Sequence, residues 1–277
     1  MKRTAVPGEI PRRAYLFTGF QALCVATLLM FSRNGVAVAV AVAVAVAKEP
    51  AFKVLAFYST DVEPDHVHAA KDALAFFEDL AAKNNFVFDA TTDWGKLSES
   101  DLKPYRLILW LNNFPQTPEQ RAAFEKYMEH GGGWLGLYVA GYNDKTTNWP
   151  WFVDFLGGAV FYTNNWPPLP AKLAVDDRTH PVTRQLPATY LAPANEWYLW
   201  KPSPRLNRNV HVLVTLDPSN YPIGVKDVIT GGDLPVVWTN TRYRMIYMNM
   251  GHGEKIYSDA TQNELFKNAI LWLGNQR

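Results

Sequence analysis

One stretch limits what this chain can fold into more than any other: His130-Gly131-Gly132-Gly133-Trp134-Leu135-Gly136-Leu137-Tyr138-Val139-Ala140-Gly141. Three glycines end a helix, an apolar strand follows, and a G-x-Y-x-A-G turn closes it. In open α/β sheets a sharp turn at the carboxyl end of a central strand presents one side chain to a crevice. Hydrolases and amidotransferases place Ser or Cys at that position, whereas this chain places Tyr138. The stretch therefore predicts the scaffold of an enzyme without the customary nucleophile.

The surrounding pattern extends that reading. Lys53–Tyr58 reads as a buried strand, and Asp65–Asn84 as a helix with Val67, Leu74, Phe77 and Leu80 near a 3.6-residue period. Phe86–Phe88 and Arg106–Leu111 read as strands, the second apolar on both faces as in a covered parallel sheet. Thr117 with Glu119 and Gln120 opens a helix that stops at Gly131, and Trp134–Val139 is the next strand. This alternation predicts an α/β fold, a three-layer sandwich with a mainly parallel, doubly wound sheet. Further along, Trp149–Leu156 reads as a short helix and Asp259–Leu273 as a closing one. Lys172–Val175, Val210–Leu216, Pro235–Trp238 and Arg244–Met250 read as strands, while the prolines between Asn164 and Leu206 predict mostly loop.

Residues 1–47 read as a leader, and residues 48–277 as the globular domain. Lys2, Arg3, Arg12 and Arg13 are followed by the uncharged apolar run Ala14–Phe31, then by a Val-Ala alternation ending Ala45-Val46-Ala47. A basic segment, an apolar segment and an A-x-A ending describe a secretory signal, so a periplasmic or secreted location is expected. The competing reading is an uncleaved anchor, since the apolar run is just long enough to cross a bilayer. After processing, no stable membrane insertion is expected. The whole chain has 27 Lys and Arg against 26 Asp and Glu; the leader holds five of the former and one of the latter, so the remainder is net −3. A domain with that charge lacks the basic face that nucleic acid needs. The single cysteine, Cys24, lies in the leader, which leaves the domain no disulfide, thiolate nucleophile or Cys metal ligand. All ten tryptophans lie in the domain.

Candidate chemistry is sorted by position. His252 follows Met250-Gly251 at a predicted strand end and precedes Gly253-Glu254, a placement suited to proton transfer near neutral pH. Its competing reading is a turn histidine bonded to backbone. His66 and His68 begin the first predicted helix on the crevice side; their spacing points them about 200° apart, and His66 is taken as the one facing inward. Glu196, within Asn195-Glu196-Trp197-Tyr198-Leu199-Trp200, sits among aromatics that would desolvate its carboxyl and raise its pKa. Its competing reading is a structural ion pair. Trp197 and Trp149 are candidate stacking platforms for a sugar ring. There is no H-E-x-x-H motif and no Gly-rich phosphate loop, and no cofactor is expected.

Several of these segments together resemble the ThuA-like (trehalose utilisation) family. They are Phe86–Thr91, Leu97–Leu102, Gly131–Gly136, Asn148-Trp149-Pro150-Trp151 and His180-Pro181-Val182-Thr183, then Glu196-Trp197-Tyr198, Gly231-Gly232-Asp233 with Pro235-Val236, and Gly251-His252. The resemblance runs from about Lys53 to Gly274 and implies a flavodoxin-like fold of the class I glutamine amidotransferase-like kind, with a role in carbohydrate metabolism. The chain departs from the family pattern at Tyr138, Asn164-Asn165, Asn195 and Leu234, positions where the family often carries His, His, Asp and His. Glu196 and His252 keep the family pattern and His66 is matched to its first-loop His; with Tyr138 they are the expected catalytic set, and with no domain cysteine and family histidines replaced, no tightly bound zinc is expected. Asn195 and Asn164, with the two tryptophans, bind a small-molecule carbohydrate. The alternative is a catalytically silent sugar-binding module. A glutamine amidotransferase is disfavoured by the absence of a domain cysteine.

Overall fold

The structure is a computed structural model that describes residues 49–144 and 146–275. The expected leader lies outside the described residues. Among the described residues, eleven strands and five helices follow one another as β1 (Lys53–Phe57), α1 (Pro64–Asn84), β2 (Val87–Thr91), α2 (Glu99–Leu102), β3 (Leu107–Trp110), α3 (Pro118–Glu129), β4 (Gly133–Leu137), α4 (Pro150–Phe155), β5 (Phe161–Asn164), β6 (Leu169–Val175), β7 (Thr189–Asn195), β8 (Tyr198–Trp200), β9 (Val210–Leu216), β10 (Pro235–Asn240), β11 (Arg244–Met248) and α5 (Ala260–Asn275).

Nine strands form one sheet in the order β2-β1-β3-β4-β11-β10-β9-β6-β7, and β5 pairs with β8 apart from it. From β2 to β11 all neighbours are parallel. From β11 to β7 all are antiparallel. The sheet is therefore mixed, which corrects the expectation of a mainly parallel one. The reason is connectivity: parallel neighbours need a long crossover, whereas only Thr241–Tyr243 separates β10 from β11.

Alternate residues of the parallel strands supply two cores. Val54 and Ala56, Leu107 and Leu109, Leu135 and Leu137, and Ile246 and Met248 join Phe77 of α1 and Leu265, Phe266 and Ile270 of α5. Leu55 and Phe57, Ile108 and Trp110, Trp134, and Met245 and Tyr247 join Phe124 of α3 and Phe152 and Phe155 of α4. The period of two along each strand separates the sets, and each amphipathic helix covers one of them. Thr117 caps α3 through a capping box with Gln120.

The proline-rich stretch predicted as mostly loop holds all of β7 and β8, and β6 begins earlier than expected, at Leu169. Pro170 and Pro193 lie where the β6–β7 register shifts, between the Leu169–Asn195 and Ala171–Ala192 pairs, and β7 is the sheet's edge. An edge strand or a bulge tolerates the missing N–H. Among the described residues, no helix is long and apolar enough to cross a membrane.

Candidate active site

Four adjacent parallel strands, β1, β3, β4 and β11, end at one edge of the sheet, and the residues beyond those ends meet there. β4 leads into a single 3-10 turn, Tyr138–Gly141, and Tyr138 has φ +49°. A non-glycine residue in the left-handed region is strained by about 1–3 kcal/mol and marks a functional turn. Two contacts impose the conformation. The Tyr247 hydroxyl donates to the Tyr138 carbonyl at 2.7 Å, and a Cβ at Gly141 would fall 2.3 Å from the Tyr247 ring. The turn expected from the glycine-rich stretch is therefore present, with Tyr138 at its apex.

The Tyr138 hydroxyl donates to Glu196 Oε2. Glu196 Oε1 lies 3.8 Å from His252 Nε2. The His66 ring sits edge-on to both Tyr138 and His252, with centroids 5.2 Å apart in each pair. Thus Glu196, His252, Tyr138 and His66 converge. His68 is exposed, with Asp65 and Glu254 as its acidic neighbours, and is not part of this group.

Burial governs the protonation of this group. Desolvation raises the Glu196 carboxyl above its ordinary pKa, opposed by the Tyr138 hydrogen bond and the nearby His252. Desolvation also holds the Tyr138 hydroxyl well above the usual range, aided by Tyr198 and Glu196. His66 is lowered, first by burial, against the attraction of Glu63. The cluster therefore combines a carboxyl poised to exchange a proton, a phenol that stays protonated and a largely neutral imidazole.

The residues that hold the cluster were not legible one by one. Asn195 is fully buried; its Nδ2 donates to the carbonyls of Glu196 and Asn249 at 2.8 and 2.9 Å, and its Oδ1 accepts from the amides of Gly251 and His252 at 3.2 and 3.1 Å. Asn195 is thus a positioning residue rather than a substrate ligand. A carboxylate at this position would face two carbonyl oxygens in place of the donating amide. Asn195→Ala is expected to cost about 1–3 kcal/mol in chemical denaturation, since it orphans buried amides and carbonyls. Asn249 Oδ1 accepts from the Tyr198 amide, and Asn112 ties the Ser59 backbone to the His66 carbonyl.

The structure corrects the two tryptophan platforms and places Asn164. Trp197 has no exposed surface; its indole N–H donates to the Leu169 carbonyl at 2.9 Å and its ring belongs to the core. Trp149 stacks on Phe152 at 4.6 Å and donates to Glu125, within the other core. Neither ring has a free face for a sugar. Asn164 lies on β5, bonded to the Asn165 carbonyl and paired in register with Tyr198. It has no contact with the converging four.

Glu63 is the residue that sequence reasoning missed. It precedes Pro64 at the start of α1, and its carboxylate oxygens lie 3.2 Å from His66 Nε2 and 3.5 Å from His252 Nε2. Its position three residues before His66, in the loop after β1, was the available signal. A broad cavity lined by Tyr105, Lys126, Tyr127 and Arg244 lies at the opposite, amino ends of β3, β4 and β11. Ligands of open α/β sheets bind at the carboxyl ends, where the Glu196 cluster sits.

Comparison with known proteins agrees with this architecture. The family model described as trehalose utilisation (ThuA) matches residues 53–273. A crystallised ThuA-like protein from Bacteroides uniformis is 53% identical, covers 84% of this chain and 95% of its own, and superposes with a TM-score of 0.80. A second, from Parabacteroides merdae, is 18% identical with a TM-score of 0.58, covering 82% of this chain and 91% of its own, and shows the shared fold. No curated protein gives a significant match. The chain belongs to the ThuA family.

Proposed function

We propose that this protein carries out acid–base chemistry on a carbohydrate, with Glu196 exchanging the proton, His252 as its partner and the Tyr138 hydroxyl as hydrogen-bond donor. The observation that carries this reading is the buried Tyr138–Glu196 hydrogen bond with His252 Nε2 3.8 Å from the same carboxyl. A carboxyl of raised pKa, held against a fixed donor at a strained turn, is placed for general acid or base work. The carbohydrate class is supported by the family's description as trehalose utilisation. The layered arrangement of helices about the sheet supports assignment to the flavodoxin-like, amidotransferase-like architecture, with Tyr138 at the nucleophile position.

The test is turnover and binding measured with trehalose and related disaccharides. Product formation supports the reading. Saturable sugar binding with no turnover favours the silent binding module instead.

Export belongs to the same proposal, on the strength of the basic–apolar–A-x-A leader. Expressed with its leader in a secreting host, the protein is expected to appear in the periplasm or medium with an amino terminus near Lys48. A cytosolic species retaining Met1 overturns it.

A further inference from the structure

We propose that Glu63, His66 and His252 form a binding site for a divalent transition-metal ion of the zinc class. The proposal shares His252 with the acid–base reading but does not rest on it, because ion binding is measured without substrate.

The donor set is the first argument. Two imidazoles and one carboxylate suit zinc and its neighbours, whereas calcium and magnesium favour sites built from oxygen alone. Geometry is the second. The candidate ligand atoms of the three residues all lie within 4.8 Å of one another. Glu63 Oε2 is 3.2 Å from His66 Nε2, and Glu63 Oε1 is 3.5 Å from His252 Nε2. A tetrahedral ion with ligand bonds of about 2.0–2.1 Å sets neighbouring donors about 3.3 Å apart. The two carboxylate–imidazole pairs are already near the spacing an ion would impose, and the two imidazoles lie within 4.8 Å of each other.

Buried ring nitrogens that make no hydrogen bond are the third argument. The His252 side chain is fully buried, and both of its ring nitrogens lack a hydrogen-bond partner. His66 Nε2 is likewise buried and without a hydrogen bond. Buried nitrogens in native proteins are nearly always satisfied, and an orphan calls for an ion, a water or a catalytic role. Two such nitrogens beside one carboxylate match an ion, which takes a lone pair from each.

The backbone around the ligands is fixed. Asn195 holds the His252 amide, Asn112 holds the His66 carbonyl, and the Gly253 amide donates to the Asp65 carbonyl at 3.3 Å, joining the His252 loop to the first turn of α1. Glu63 is 50% exposed and forms the solvent side of the site, which gives an ion its route in. Glu196 Oε1, 3.8 Å from His252 Nε2, is near enough to orient a water on the ion. The sequence expectation of no tightly bound zinc rested on the missing domain cysteine and on the replaced histidines of the family pattern. A site assembled from the first loop and the β11 end shows in neither.

The full chain, dialysed against chelator and then against buffer, is titrated with Zn²⁺ by calorimetry and with Co²⁺ by visible absorption. One ion per chain is expected, with a Co²⁺ spectrum of nitrogen and oxygen ligation. Glu63→Gln and His66→Gln, checked for folding by circular dichroism, are each expected to weaken binding by at least about tenfold. Glu63→Gln alters a half-exposed side chain, so it keeps the test informative if the histidine variant misfolds. Failure of the folded full chain to bind either ion overturns the site, and so does unchanged affinity in folded Glu63→Gln. Turnover without ion binding would leave the acid–base reading standing and this one refuted.

Discussion

Glu196→Gln is expected to lower turnover of the carbohydrate substrate by about 10²–10⁴-fold, the usual scale for one positioned acid–base group. The amide keeps the carboxyl's size and can still accept from the Tyr138 hydroxyl through its oxygen, so the turn at Tyr138 retains its partner. What it loses is the exchangeable proton. Folding is not expected to suffer. Burial raises the Glu196 pKa in the folded state, so whatever stability its protonated form contributes is present at low pH and is lost as pH rises through the folded value. At neutral pH the variant is therefore expected to be at least as stable as the parent. Steady-state kinetics beside a thermal melt measure both. Undiminished turnover in a folded Glu196→Gln protein removes Glu196 from the chemistry.

Trp197→Ala is expected to destabilise the protein by about 3–5 kcal/mol, the range for deleting a buried aromatic side chain. Trp197 has no exposed surface and packs in the core beneath the sheet, and its indole N–H is spent on the Leu169 carbonyl. Truncation leaves a cavity and strips that carbonyl of its donor. For a domain of this size the melting temperature is expected to fall by roughly 10 °C. The effect on sugar affinity, measured below the melting transition, is expected to be small. A sugar-binding platform would show the reverse, with lost affinity and little change in stability.

The contrast between neighbouring residues shows where sequence reasoning stops. Glu196 and Trp197 are adjacent in one aromatic run, and both were read as functional. Chain direction turns Glu196 toward Tyr138 and His252 and turns Trp197 into the core. Aromatic composition cannot separate the two outcomes, because a tryptophan that stacks on a ligand and one that fills a core have the same local pattern. The same holds for Trp149, whose ring is taken by Phe152.

Local chemistry was legible where it is enforced locally. The helix stop at Gly131, the capping box at Thr117, the turn at Tyr138 and the different exposure of His66 and His68 follow from backbone geometry over a few residues. So does the parallel half of the sheet, because strands separated by helices have room for crossovers. The antiparallel half, and the strands hidden among prolines, depend on which edges remain free for pairing. The Glu63, His66 and His252 cluster is decided later still. Its members come from the loop after β1, the first turn of α1 and the segment beyond β11, brought together because β1 and β11 finish at the same end of the sheet on either side of β3 and β4. The sequence by itself determined the family, the turn that presents Tyr138 and the candidacy of Glu196, His252 and His66. Only the tertiary structure decided that these residues meet, that Glu63 joins them and that the tryptophans do not, because burial and separation are properties of the packed chain.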